Sequence, residues 1–147
     1  MSRIISFRGL LEDGGIDTVP LQTNNGLIGY RITKFMTIPN SPGTTGIESI
    51  IKIYKVPQTT PSVTVDFSDQ RLLGVSYYQD DANVAYPSSQ DIIFDSEIFN
   101  QDIYITLKQG TGTHSMNYYI ELEQMKLDLS EQTVATLKNI RNSNVST

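Results

Sequence analysis

Cysteine and tryptophan are absent from these 147 residues, and histidine occurs once. Without cysteine the chain can form no disulfide, no thiolate nucleophile and no Cys-ligated metal centre. His114 sits in the Gly- and Thr-rich turn "GTGTHS". A Ser-His-Asp triad needs an oriented base beside its nucleophile, and a zinc site needs several N or S ligands, so one turn histidine supports neither. Phosphate-cradling GxxxxGK[ST] and GxGxxG loops are missing too. No stretch reaches the roughly 18 consecutive apolar residues of a membrane helix. The opening "MSRIISFRGLLEDGG" has two arginines but no apolar run of signal-peptide length. The expectation is a soluble protein with no membrane partner and no export signal of its own.

Basic charge is also scarce. Eleven basic residues stand against sixteen acidic ones, a net charge of -5. Phosphate backbones need clustered Lys and Arg to displace counterions, and no such stripe exists, so no nucleic-acid partner is expected. The acids concentrate between Asp66 and Asp102, where Asp66, Asp69, Asp80, Asp81, Asp91, Asp95, Glu97 and Asp102 are set against Arg71 alone. Such a flank either solubilises the surface or faces a basic partner. Asp80, Asp81 and Asn83 are hard oxygen ligands, yet the alternating acidic loop of a calcium site, with its glycine, is absent. Asp91, Asp95 and Glu97 could be glycosidase carboxylates only if their separation were known. These residues point to no catalytic group, no metal and no cofactor. Tyr77, Tyr78, Asp80, Asp81, Asn83 and Tyr86 mix flat aromatics with acid and amide groups. Ordinary strand packing, a protein contact and a sugar site all use that mixture.

What the chain has in quantity is period-two alternation between turn clusters. "GLIGYRITKFMTI" (26–38) puts Ile28, Tyr30, Ile32, Met36 and Ile38 on one parity. "GIESIIKIYKV" (46–56) is apolar on both faces, as a central strand would be. "SVTVDFS" (62–68) alternates through Val63, Val65 and Phe67, and "RLLGVSYY" (71–78) through Leu73, Val75 and Tyr77. "DIIFDS" (91–96), "QDIYITLK" (101–108, with Ile103, Ile105 and Leu107 inward) and the opening "RIISF" (3–7) add further strands. Gly9 to Gly26 is turn-rich and reads as a surface arm, on this subunit or a neighbour. The fold class is all-β: one domain over residues 1–147, an antiparallel, jelly-roll-like β-sandwich of about eight strands with a short C-terminal α-helix. An immunoglobulin-like sandwich is the alternative, without its Cys and Trp markers.

"NYYIELEQMKLDLSEQTVATLKNIRN" (117–142) changes from strand rhythm to helix rhythm with neither Gly nor Pro. Tyr118, Ile120 and Leu122 share one parity, Met125, Leu127 and Leu129 the other. Either a bulge near Glu123 and Gln124 restores one face, or the later triplet covers a different surface. Ser130 is the expected N-cap of a helix over 130–142, with Glu131 in its first turn and Lys138 and Arg141 near its end. Val134, Leu137 and Ile140 form a narrow stripe that must pack on this domain or on another subunit.

"FDSEIFNQDIYIT" (94–106) and "MNYYIELEQMKLDLSEQTVATLKNIRN" (116–142) resemble stretches of small virion structural proteins of marine tailed bacteriophages, over about the last third of the chain. The resemblance implies a non-enzymatic structural protein located on the virion, at the capsid surface. Its expected form is a decoration or cement protein that binds the major capsid (coat) protein as a homo-oligomer, a homotrimer by preference. Met125, Leu127, Leu129, Val134, Leu137 and Ile140 are then the expected oligomer or coat interface. A receptor- or glycan-binding module of a tail or fibre, using Tyr77 to Tyr86, is the other expectation.

Overall fold

Alternation becomes a hydrogen-bonded ladder along most of the chain. The structure, a computed structural model, describes residues 3–23, 26–42, 46–80, 88–94 and 97–143. Its strands are β1 (Arg3–Leu11), β2 (Ile16–Val19), β3 (Ile28–Pro39), β4 (Ile47–Tyr54), β5 (Leu72–Asp80), β6 (Ser88–Ile93), β7 (Ile103–Thr111) and β8 (Met116–Lys126), followed by the helix α1 (Leu129–Ser143). One sheet runs β1-β8-β3 and the other β2-β7-β4-β5-β6, every neighbouring pair antiparallel. First pairs with last, β2 with β7 and β4 with β5, as in a long ribbon folded back and wrapped. β6 lies beside β3 but takes its hydrogen bonds from β5. This is jelly-roll wrapping, and it places β4 mid-sheet, where a strand apolar on both faces belongs.

Between the sheets lie Ile32 and Phe35, Ile51 and Ile53, Ile103, Ile105 and Leu107, and Met116, Ile120 and Leu122. Two bulges decide which residues join them. In β3 the register shifts between Ile32 and Lys34, so Thr33 is the extra residue. Phe35 therefore turns inward at 2% exposure, and Met36 and Ile38 go to the outer face instead of sharing Tyr30's side. In β5 a shift opposite Ile53 and Tyr54 sends Leu73 into the main core and Val75 and Tyr77 to the other face.

The turn-rich stretch after Gly9 is not a loose arm. Leu11, Val19 and Leu21 are core residues, and β2 is an edge strand on β7. Asp102 Oδ1 accepts from the backbone N–H groups of Leu21 and Gln22 at 2.8 and 2.9 Å, which ties the exit of β2 to the start of β7. Nor is 62–68 a strand. It runs without ladder partners across the outer face of the five-stranded sheet; Val63, Val65 and Phe67 are exposed, the Phe67 ring edge-on to Phe94 at 5.3 Å.

The two sheets are also joined by a polar contact. Tyr118 of β8 fits beneath Gly9 of β1, where an added Cβ would come within 2.7 Å of its hydroxyl oxygen. That hydroxyl donates to Asp17 Oδ2 on β2 at 2.8 Å. Burial first, then the bond to Asp17 and that carboxylate's charge, hold the phenol's pKa above its ordinary value. A raised folded-state pKa means that the stabilisation is complete below the unfolded value of about 10 and is lost as pH rises beyond it. Urea unfolding at pH 8 and at about pH 10.5 should therefore show a larger alkaline loss for the native chain than for Tyr118→Phe. Equal losses would contradict the assignment.

Candidate functional site

The strand-to-helix phrase resolves without a bulge in β8, whose register with β1 is unbroken from Met116 to Gln124. Met125 lies on the outer face, half-buried. β8 then ends at Lys126, and Leu127 turns back to its own domain. Leu127 is 6% exposed, its N–H donates to Leu27 O at 2.8 Å, and its side chain fills the space above Gly29. It is thus a buried residue and not part of an open interface.

The N-cap is Asp128, not Ser130. Asp128 Oδ1 accepts from Glu131 N–H at 2.7 Å, and Glu131 Oε1 accepts from Asp128 N–H at 3.2 Å, a complete capping box. The helix then packs with its polar and small side chains. Asn100, fully buried, donates through Nδ2 to Gly26 O at 3.1 Å and to Thr136 Oγ1 at 2.9 Å. Asn139 Nδ2 donates to Lys55 O at 3.0 Å, and Ala135 is buried beside them. Below that contact the buried Lys55 ammonium pairs with Glu97 at 2.5 Å.

At 3.6 residues per turn, Leu137 lies opposite Ala135 and Asn139, Val134 about a quarter-turn from Ala135, and Leu129 and Ile140 along the border beside Thr136. Leu129, Val134, Leu137 and Ile140 make up the stripe. These four are 73%, 54%, 58% and 51% exposed. The apolar stripe thus faces outward while the polar side is docked. Beside it a groove of about 300 Å³ is lined by Ile98, Leu127, Val134 and Ala135, with Glu131 and Lys138 at its rim. Full burial of a side chain such as Leu or Val is worth about 1.5–3 kcal/mol, so association over this face has a real driving force.

The described residues of the tyrosine region do not converge. Tyr77 joins Ile50, Tyr54, Leu72 and Val75 on the outer face of the five-stranded sheet, with its hydroxyl donating to Gln79 Oε1 at 2.8 Å. Tyr78 packs against the main core. Adjacent strand residues point to opposite faces, so these two rings cannot hold one ligand between them. Asp80 ends β5, its carbonyl accepting from Gly46 N–H at 2.6 Å. Asp81, Asn83 and Tyr86 lie outside the described residues. Asp95 likewise lies outside the described residues, and the other acids of the flank that are described take local partners. Asp69 grips Arg71 at 2.8 and 2.9 Å, Asp66 accepts from Ser68, Asp91 from Ser76, and Glu97 from Lys55. Among the described residues no group of three or more His, Asp or Glu is placed to hold a metal, and no helix is long and apolar enough to cross a membrane.

One polar feature has only a faint sequence signal, a lysine inside the apolar run "IIKIYK". Lys52 is 2% exposed; its ammonium donates to Thr64 O at 2.6 Å and to Ser62 Oγ at 3.4 Å, 5.6 Å from the Tyr54 ring centre. Burial lowers its pKa and Asp69 works against that shift. A cleft of about 200 Å³ surrounds it, lined also by Thr106 and Arg71. With its ammonium engaged by two loop oxygens, Lys52 acts as a clamp that holds 61–66 across the sheet.

Fold and surface together define a class: a jelly-roll β-sandwich carrying a helix that displays apolar side chains. No protein-family model matches the chain, and no curated protein matches it. A solved structure described as "Bacillus endospore appendages form a novel family of disulfide-linked pili" is similar at a TM-score of 0.37 and 11% identity, over 87% of this chain and 92% of that one. A likeness of that size carries nothing over to this chain.

Proposed function

We propose that this chain is a non-enzymatic structural protein of a phage virion, a decoration or cement protein that binds coat protein and stabilises the head. The observation that supports the reading is the outward apolar stripe of α1, anchored by a polar underside. A helix displayed that way on a rigid sandwich suits docking against another subunit, and the resemblance of the same segment to virion proteins supplies the setting. Leu129, Val134, Leu137 and Ile140 form the coat-facing contact, with Met125 on the neighbouring sheet face.

The test is cosedimentation with purified heads stripped of the protein, comparing the native chain with Leu137→Asp. Because Leu137 is 58% exposed, the substitution should change unfolding free energy by no more than about 0.5 kcal/mol. Head binding should fall at least tenfold, since about 1.4 kcal/mol of lost apolar contact is already a factor of ten. Unchanged binding, or a virion content of a few copies instead of hundreds, would count against the reading. A few copies would fit a tail or fibre component.

A further inference from the structure

The four strands at the sheet margins are not equally protected. β2 is four residues long and β6 six. β3 carries the bulge at Thr33, ends in Pro39, and is covered at Tyr30 by a two-way backbone bridge to Phe99 at 2.8 and 3.0 Å. Short strands, bulges, prolines, charged side chains and covering segments are the usual guards against edge pairing. Of these β1 has only the charges of Arg3 and Arg8. It is nine residues long, its ladder with β8 is regular from end to end, and among the described residues no strand lies along its outer side.

Its side chains also suit a particular occupant. Ile4 and Leu10 point outward at 56% and 49% exposure, with Ser6 and Arg8 between them on the same face. Antiparallel pairing places same-face residues opposite each other, so a strand meeting its own copy can be centred only on a residue, never between two. Centred on Phe7, all nine residues find partners. Ile4 then meets Leu10 twice, Ser6 meets Arg8 twice, and Arg3 meets Leu11. Centred on Arg8, the two Arg8 side chains oppose each other; centred on Ser6, Ile4 meets Arg8 and Leu10 has no partner. The Phe7 register is the one that sets the two exposed apolar side chains, Ile4 and Leu10, opposite each other, pairs all nine residues and opposes no like charges.

We propose that β1 is a self-complementary edge, and that two copies of this chain join along it about a two-fold axis through Phe7. The contact extends the three-stranded sheet into six strands, β3-β8-β1 followed by the same order reversed. It is isologous and closes on itself, which yields a dimer and not a filament. It does not depend on the coat-binding reading of α1, which uses a different surface.

The chain lacks cysteine, which makes the test direct. Light scattering at micromolar concentration should give the mass of a dimer. Ile4→Lys with Leu10→Lys sets like charges opposite each other at both ends of the contact and should give a monomer with unchanged circular dichroism, since both positions are exposed. A mixture of Ser6→Cys protein with Arg8→Cys protein should form disulfide-linked dimers on mild oxidation, whereas neither protein should do so alone. A monomeric native chain overturns the proposal. So does a dimer that survives the double lysine substitution, a dimer dissociated by Leu137→Asp but not by it, or a cross-link formed by either cysteine variant alone.

Discussion

Ile120→Ala should lower the unfolding free energy by about 2–5 kcal/mol, the range for deleting a large aliphatic side chain from a packed core. Ile120 is fully buried in β8, the strand that both β1 and β3 use as their partner, and it stands between Phe7 and Phe35 in the two ladders. A cavity there withdraws contacts from every strand of that sheet, and neighbours already held by two registers have little room to collapse into it. The same chemical change at Ile140, which is 51% exposed on α1, should cost no more than about 0.5 kcal/mol. Chemical denaturation of the two variants in parallel checks the pair. Similar losses at both positions would mean that the α1 stripe is packed in solution and that the helix surface has been misread.

That contrast also marks where the sequence is informative. Residues such as Ile103, Ile105 and Leu107 advertise their burial because strand periodicity is local and both neighbours of β7 respect it. β4 is legible for the same reason, since apolar residues on both faces leave a central position as the only comfortable one. Bulges are different. Thr33 and Leu73 are extra residues only relative to partner strands distant in sequence, so nothing near them announces the shift, and alternation alone groups Met36 and Ile38 with Tyr30, and Leu73 with Val75 and Tyr77, where the structure separates them. "SVTVDFS" shows the opposite error: alternation without a ladder. An extended segment clamped by Lys52 has the rhythm of a strand, but its Val63, Val65 and Phe67 stay outside the core, exposed on the sheet's outer face. β2 escapes notice because its four residues are too few to establish a period.

The helix is a subtler case. Its apolar stripe is plain in the sequence, and the ordinary inference is that such a stripe faces inward. The docked side is made of Ala135, Thr136 and Asn139, which meet a fully buried asparagine and a backbone carbonyl instead of a greasy surface. The spacing of those residues was visible, but their partners, Asn100 and Lys55, come from other parts of the chain. The capping box at Asp128 was legible in principle, since Asp-x-x-Glu is there to read. Alternation through Met125, Leu127 and Leu129 extends the strand pattern past Asp128 and makes Ser130 the first cap it allows.

Asn100→Asp should detach α1 from the sandwich at neutral pH at a cost of about 3–5 kcal/mol, the penalty of an uncompensated buried charge. The substitution keeps the side chain's size and removes its two donors. The carbonyl of Gly26, 3.1 Å from Nδ2 in the native chain, would then face a carboxylate oxygen, while among the described residues Oδ1 accepts from Gln101 Nε2 at 3.4 Å. Burial raises the folded-state pKa of such an acid above its unfolded value of about 3.9. The native docking is therefore preserved at pH values below the unfolded pKa and lost as pH rises through the shifted one. Hydrogen exchange at pH 7 should show α1 amides unprotected while β4, β7 and β8 remain protected, because a helix of this length is marginal once undocked. Asn100→Leu, which carries no charge, should give a smaller loss that does not vary between pH 4 and 7. Head binding by Asn100→Asp should fall at pH 7 even though Leu129, Val134, Leu137 and Ile140 are untouched, since the stripe binds only when the polar side holds it in place. Full α1 protection in this variant at pH 7 would separate Asn100 from helix docking, and with it the anchoring of the exposed stripe.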